Sequence, residues 1–336
     1  MTTFDNLQVR LAARPEGLPT KEHWTITSSP VSELTGDGQV LVQVADSSVD
    51  PAMRGWIREG ASYVEPVEVG DVMRAGGVGT VVASKHEGFA PGDQVVGLTG
   101  VQAHAVIDGA GLTKVSDQLA PLPTFLGVLG MPGLSAYFGL LDVGALAEGD
   151  TVLISGAAGA VGSVAGQIAR IKGARRVVGI VGNDDKRQHI VADLGFDGAI
   201  DYKTEPVKDR IRELCPDGVN VYFDNVGGPI LDDALLCLAR GARVVICGAI
   251  SQYNDLDNPR GPQNYLSLLT NRARMEGFII IDYQERYAEA FTEMAGWFAA
   301  GKLSHRQTVV AGIETFPETF QRLFSGDKLG KLVIQV

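Results

Sequence analysis

Residues 151–173 read TVLISGAAGAVGSVAGQIARIKG, and three local patterns follow one another within them. Val152, Leu153 and Ile154 form a buried apolar run, residues 155–162 form a turn of small residues, and Val164, Ile168 and Ile171 recur at helical spacing. The pattern is strand, tight turn, helix. The turn reads AxGxxG: Ala157 stands where a strict dinucleotide fingerprint has its first glycine, and an extra Gly156 precedes it. Gly159 and Gly162 let the backbone approach a pyrophosphate and let the helix pack on the strand, while N–H groups at the helix start face the anion. Gly156, Ala158, Gly159, Ala160, Val161 and Gly162 are therefore candidate cofactor contacts. An ordinary strand-to-helix turn reads the same way, so the flanking chain must decide.

Downstream of this stretch, strand and helix patterns alternate. Strands are predicted over 176–181, 199–202, 219–224, 242–247 and 275–281; helices over 185–194 (closed by Gly195), 207–214, 230–238, 265–269 and 284–300. Such alternation specifies a parallel sheet with helices on both faces, a doubly wound nucleotide-binding domain of the α/β class. Upstream, the short runs QVLVQV (39–44), VGTVVAS (78–84), DQVVGL (93–98) and AHAVI (103–107) are strands divided by Gly, Pro and Asp turns, which implies a β-rich domain. Residues 307–310 and 331–336, with a helix around Phe320 between them, are β-rich again, and this tail is expected to return to the first domain. The switch between domains is expected in the apolar stretch 125–141, which Pro132 and Gly133 interrupt.

Composition narrows the function. The chain has 336 residues, with 29 Lys and Arg against 40 Asp and Glu, and its net charge of −11 repels polyphosphate polymers. With no basic stripe among interleaved aromatics, no nucleic-acid partner is expected. Cys215, Cys237 and Cys247 lack metal-type spacing and read as buried thiols in a reducing compartment. The opening residues MTTFDNLQVRLAARPEG lack an apolar signal core, and no apolar run approaches membrane-spanning length, so a soluble, cytoplasmic protein without a membrane partner is expected. His23, His86, His104, His189 and His305 are scattered, without HExxH, so no metal site is expected; His189 is expected on a helix surface.

In an open parallel sheet the ligand lies beyond the carboxyl ends of the strands. Here those ends run into the glycine turn; into Gly182, Asn183, Asp184, Asp185, Lys186 and Arg187; into Tyr202 and Lys203; into Asp224, Asn225, Val226, Gly227 and Gly228; and into GAISQYN (248–254). Glycines and hydrogen-bonding side chains at successive tips form a rim for one extended ligand. The second tip chooses between cofactors. Asp184 and Asp185 could bond a ribose, as NAD requires, yet they also suit a helix start. Lys186 and Arg187 oppose the helix dipole there unless a phosphate is bound, which favours NADP. Without a metal to polarise a carbonyl, hydroxyls, ribose groups or backbone N–H groups must stabilise an oxyanion, and tyrosines are natural acids.

VDPAMRG (49–55), GVLGMPGLSAYFGLLDVG (127–144), SGAAGAVGSVAGQIA (155–169), FDNVGG (223–228), CGAISQYN (247–254), RMEGFI (274–279) and the final GKLVIQV (330–336) span nearly the whole chain. Through them the sequence resembles the zinc-independent medium-chain dehydrogenase/reductase superfamily, in the branch of prostaglandin reductases, alkenal double-bond reductases and NADPH-dependent curcumin reductases. GMPGLSAYFGL and FDNVGG are its most specific segments. The resemblance implies a GroES-like β-rich substrate domain built from both chain ends (1–127 and 305–336), a Rossmann NADP-binding domain (128–304), NADPH as cofactor and a homodimer. By position it implies that Lys186 and Tyr202, beside Gly182, hold the adenosine 2′-phosphate. It further implies that Met131, Ser135, Asn225, Cys247, Gly248, Ala249 and Ile250 contact the cofactor, that Tyr253 lies near the nicotinamide ribose and the substrate carbonyl, and that Tyr63 lines the substrate pocket. There are departures: Ala52 replaces a pocket tyrosine, Val101 and His104 replace a tryptophan and a tyrosine, and Lys328 replaces an asparagine that contacts cofactor. The cofactor frame is kept and the substrate wall altered.

The chemistry so implied is hydride transfer from NADPH to the β-carbon of an α,β-unsaturated aldehyde or ketone, then protonation at the α-carbon. Negative charge moves to the carbonyl oxygen, so a donor aimed there lowers the barrier; Tyr253, with the cofactor ribose hydroxyl, is the first candidate and Tyr63 the second. Water could equally supply the α-proton. A quinone or carbonyl reductase, and a protein that holds NADPH without turning it over, stay open as alternatives at this level. So do a purely cofactor-positioning Tyr253 and a packing role for Tyr63.

Overall fold

Alternating strands and helices after residue 150 fold into one six-stranded sheet in the computed structural model, which describes residues 5–31, 33–60, 62–255, 258 and 260–336. Its strands are Thr151–Ser155, Arg176–Val181, Gly198–Asp201, Val219–Asp224, Leu238–Ile246 and Arg274–Gly277. They lie in the spatial order third, second, first, fourth, fifth, sixth, and every pairing is parallel. The order reverses at the first strand, so a crevice opens between the tips of Thr151–Ser155 and Val219–Asp224. Parallel strands covered on both faces must be apolar throughout, and Val152, Leu153, Ile154, Val178, Ile180, Tyr222 and Val244 are buried accordingly. Each such side chain contributes about 1.5–3 kcal/mol of burial. The helix Gly162–Ile171 buries Val164, Ala165, Ile168 and Ala169.

Three elements differ from the expectation drawn from periodicity. The helix over 185–194 is an α-helical turn, Asp184–Gln188, followed by a wider π turn, His189–Asp193. That wider turn rotates His189 inward with Ile190, so His189 is only 7% exposed rather than on the surface, and its Nδ1 lies 2.7 Å from the Asp193 carboxylate. The helix Gly228–Leu235 stops early because Leu238 already begins the next strand. The strand predicted over 275–281 ends at Gly277, and Ile280–Arg286 is a 3₁₀ helix. Apolar character continues past Gly277 because Phe278 packs its ring on Gly139, where a Cβ would lie 2.6 Å from it.

This sheet belongs to a unit comprising Gly127–Arg306; Met1–Leu126 with Gln307–Val336 form a second unit. In the second unit a seven-stranded mixed sheet contains Gln39–Ser48, Gly77–Ser84, Gln94–Gly97 and Leu112–Lys114, with His104–Asp108 also paired to Gln39–Ser48. The terminal strand Lys331–Gln335 pairs antiparallel with Gln39–Ser48 and parallel with Gln307–Ala311, so residues near both chain ends share one sheet. A two-stranded antiparallel sheet, Asp5–Leu11 with Trp24–Pro30, is an addition that periodicity did not announce. Trp24 stands edge-on against Phe316 and Phe320 of the helix Phe316–Ser325, with ring centroids 4.9 and 5.9 Å away. Among the described residues no helix is long and apolar enough to cross a membrane.

Candidate active site

The glycine turn is shaped by two positions. Gly156 takes φ +59°, a left-handed conformation that reverses the chain directly after the first strand. At Gly162 a Cβ would lie 2.5 Å from the Gly156 carbonyl oxygen, so only glycine lets the helix start against its own strand end. Ser163 and Gly159 close the turn through backbone hydrogen bonds to Gly159 and Gly156. Ala158, Ala160 and Val161 complete it, and the N-terminus of Gly162–Ile171 meets the turn where an anion is favoured. The absence of room for a Cβ and the small side chains fit a dinucleotide pyrophosphate.

Across the crevice lies a group that the residues alone presented only as part of a loop tip. Asp224 is fully buried, and its Oδ1 accepts hydrogen bonds from Ser155 Oγ (2.7 Å), Tyr222 OH (2.8 Å), Val226 N–H (3.0 Å) and Gly227 N–H (3.0 Å). Its backbone carbonyl accepts from the N–H groups of Cys247 and Gly248. Ser155 Oγ in turn accepts from Asn225 N–H at 2.8 Å, and Asn225 Nδ2 donates to the Ser155 carbonyl at 2.8 Å. One residue, through its carboxylate and its backbone carbonyl, thus joins three of the strand tips. The register that aligns Phe223 with Ile154 brings Asp224 level with Ser155, sixty-nine positions earlier. A charged residue ending an otherwise apolar strand was the signal in the sequence.

The second tip begins with Asn183, whose side chain caps Asp184–Gln188 by accepting from Lys186 N–H at 3.0 Å. Arg187 pairs with Asp184 at 3.3 Å and Glu205 at 3.7 Å. Tyr202 follows the third strand and stacks on Gly182, where a Cβ would meet its ring at 2.8 Å; the phenol ring remains 46% exposed. Gly182, Lys186 and Tyr202 are therefore brought to one corner.

Beyond the fifth and sixth strands an open cleft of about 460 Å³ is lined by Ile246, Cys247, Gly248, Ala249, Tyr253, Gly277, Phe278, Ile279 and Asp282. Ile250 N–H donates to the Asn225 carbonyl at 3.3 Å, tying this tip to its neighbour. The Tyr253 hydroxyl oxygen accepts from Ala249 N–H at 3.1 Å. Burial first, then the Asp224 carboxylate, pushes the Cys247 thiol up to about 12. Phe278, Ile279 and Asp282 were not expected here; only the turn after Gly277 carries them to the wall.

Residues 7–115 match the family described as the N-terminal domain of oxidoreductase, and residues 160–296 the family described as zinc-binding dehydrogenase. The NADPH-dependent curcumin reductase of Escherichia coli is 39% identical over 97% of this chain and 95% of its own length. The NADP-dependent 2-alkenal reductase of Nicotiana tabacum is 36% identical over 98% and 97%. The crystal structure of CurA from Vibrio vulnificus in complex with NADPH superposes with a TM-score of 0.91 at 41% identity, covering 98% and 99% of the two chains. The chain belongs to the medium-chain dehydrogenase/reductase superfamily.

In this medium-chain dehydrogenase/reductase the remaining expected residues lie as follows. Met131 opens the helix Met131–Phe138, and Ser135 Oγ donates to its carbonyl at 2.8 Å. Tyr63 and Lys328 belong to the β-rich unit. Tyr63 is 49% exposed and its hydroxyl accepts from Trp56 Nε1 at 2.9 Å; burial of the phenol raises its pKa. Lys328 lies in the turn before Lys331–Gln335, its N–H bonded to the Gly326 carbonyl at 2.9 Å. Val101 and His104 are buried, and Ala52 precedes the short helix Met53–Trp56. Although one matched family is named for zinc, among the described residues no group of His, Cys, Asp and Glu could hold a metal ion.

Proposed function

We propose that the chain is an NADPH-dependent reductase of the carbon–carbon double bond of α,β-unsaturated aldehydes and ketones. The observation that carries this reading is the cleft at the fifth and sixth strand tips, where one phenol, Tyr253, faces an otherwise largely apolar wall of Phe278 and Ile279. The relatives named for curcumin and 2-alkenal reduction support the same substrate class.

NADPH, when bound, supplies the hydride. The small residues of the glycine turn leave backbone to meet its pyrophosphate, and Asn225 and residues 247–250 flank its nicotinamide half. Lys186 supplies the cation for the 2′-phosphate, at the corner where Tyr202 stacks on Gly182. Tyr253, held by the hydrogen bond from Ala249 N–H, donates its O–H to the substrate carbonyl oxygen. That bond strengthens as negative charge gathers there, and so lowers the barrier selectively. Phe278 and Ile279 give the reacting carbon an apolar wall. The α-carbon then takes its proton from the phenol or from water.

The protein is read as a cytoplasmic homodimer. Arg274–Gly277 is an edge strand with all its residues exposed, and Leu269 on the preceding helix is 76% exposed. Antiparallel self-pairing centred on Met275 would set Arg274 of one copy opposite Glu276 of the other.

An acceptor screen that follows loss of NADPH absorbance tests the activity. Conjugated enals and enones should be consumed to saturated carbonyl products, while saturated ketones and quinones are left. Reduction of quinones without reduction of any enone would replace this reading.

A further inference from the structure

We propose that the buried Asp224 carboxylate serves as a fixed negative charge beneath the hydride-transfer site, favouring the oxidised, cationic nicotinamide over the reduced, neutral one. The inference rests on the NADPH-reductase reading and adds to it how the chain biases the direction of hydride flow.

The argument starts from where the charge is. Asp224 ends the fourth strand at the point where the sheet order reverses, which is where a doubly wound sheet binds its ligand. Its partners Ser155 Oγ, Tyr222 OH, Val226 N–H and Gly227 N–H are neutral donors. Ser155 Oγ accepts from Asn225 N–H and donates to Asp224, which relays the carboxylate to the neighbouring loop. Neutral donors of this kind spread a carboxylate's charge without cancelling it, as a paired cation would. The Asp224 carbonyl accepts from Cys247 and Gly248, both of which line the 460 Å³ cleft, so the residue that carries the charge stands directly behind the cleft wall.

The chemistry calls for such a charge. When a hydride leaves with its electron pair for the substrate β-carbon, the nicotinamide ring gains one positive charge and the substrate oxygen one negative charge, which the added proton then discharges. Tyr253 answers the negative end. Asp224 stabilises the positive end, in a low-dielectric site where a fixed charge acts strongly.

The test titrates wild-type, Asp224→Asn and Tyr222→Phe proteins with NADP⁺, NADPH and 2′-phospho-ADP-ribose, which lacks the nicotinamide, following tryptophan fluorescence. Asp224→Asn should raise the ratio Kd(NADP⁺)/Kd(NADPH) about tenfold. Its affinity for the fragment should change less than about twofold. Tyr222→Phe keeps the carboxylate and removes one donor, so the ratio should fall by about twofold. If Asp224→Asn weakens all three ligands equally, Asp224 only shapes the loops and the proposal fails. Should that variant not fold, an unchanged or raised ratio in Tyr222→Phe overturns it instead. A wild-type protein that binds neither cofactor form defeats the underlying reductase reading, an outcome distinct from an unchanged ratio.

Discussion

Tyr253 is held by the loop it serves, and that constrains what its removal does. Tyr253→Phe deletes the proposed donor and leaves Ala249 N–H without its acceptor, so kcat should fall about a hundredfold while the Kd for NADPH rises no more than about threefold. Steady-state rates beside a fluorescence titration check this, and undiminished turnover removes Tyr253 from the chemistry. Ala157 shows how a departure from the dinucleotide fingerprint is absorbed. Its buried methyl faces Gly179 on the neighbouring strand, where a Cβ would lie 2.7 Å from Ala157 Cβ and 2.4 Å from Ile190 Cδ1. The glycine missing from the turn is thus matched by one across the sheet. Gly179→Ala should cost about 1–3 kcal/mol, read as a lowered Tm, and Ala157→Gly in the same chain should restore part of it, since the clash with Ile190 remains.

At the level of elements, the short helix Asp184–Gln188 divides labour between adjacent cations. Arg187 pairs with Asp184 and Glu205, and the Lys186 N–H donates to the Asn183 cap while its side chain leaves from the first turn. Lys186→Ala should weaken NADPH binding by about 10- to 100-fold and leave NADH binding unchanged; parallel titrations with both cofactors decide it. An equal loss for both would remove the 2′-phosphate role. The edge strand Arg274–Gly277 carries the dimer proposal. Glu276→Lys would set like charges opposite each other in the self-paired register, and gel filtration with light scattering should find a monomer. A dimer that persists places the interface elsewhere.

Over the whole molecule, burial of titratable groups sets an alkaline limit. Burial pushes the Cys215 thiol up to about 12 and does the same to Cys247, while Tyr222 is also raised by its burial. From the ordinary thiol range upward the folded chain therefore holds more protons than the unfolded one, so stability present below that range is lost as pH rises toward about 12. Tm measured from neutral to strongly alkaline pH should fall, and Cys215→Ala should make the fall shallower; a flat profile would refute the assignment. Much of this architecture was legible in the residues. The alternation after Thr151, the small-residue turn ending at Gly162 and the segment FDNVGG announced a doubly wound sheet and its cofactor edge, because apolar periodicity and steric need are local properties of a chain. Other features were not legible. The strand pair Asp5–Leu11 and Trp24–Pro30, the inward turn of His189, the arrival of Phe278 in the cleft wall, and the bonds from Ser155 and Tyr222 to Asp224 depend on which segments become neighbours and in what register. Residue order by itself determined the succession of elements and the chemical kinds present at the strand tips. Only the tertiary structure decided which of those tips share hydrogen bonds, because a bond across seventy positions exists only once the sheet has closed and burial has made each unpaired polar group costly.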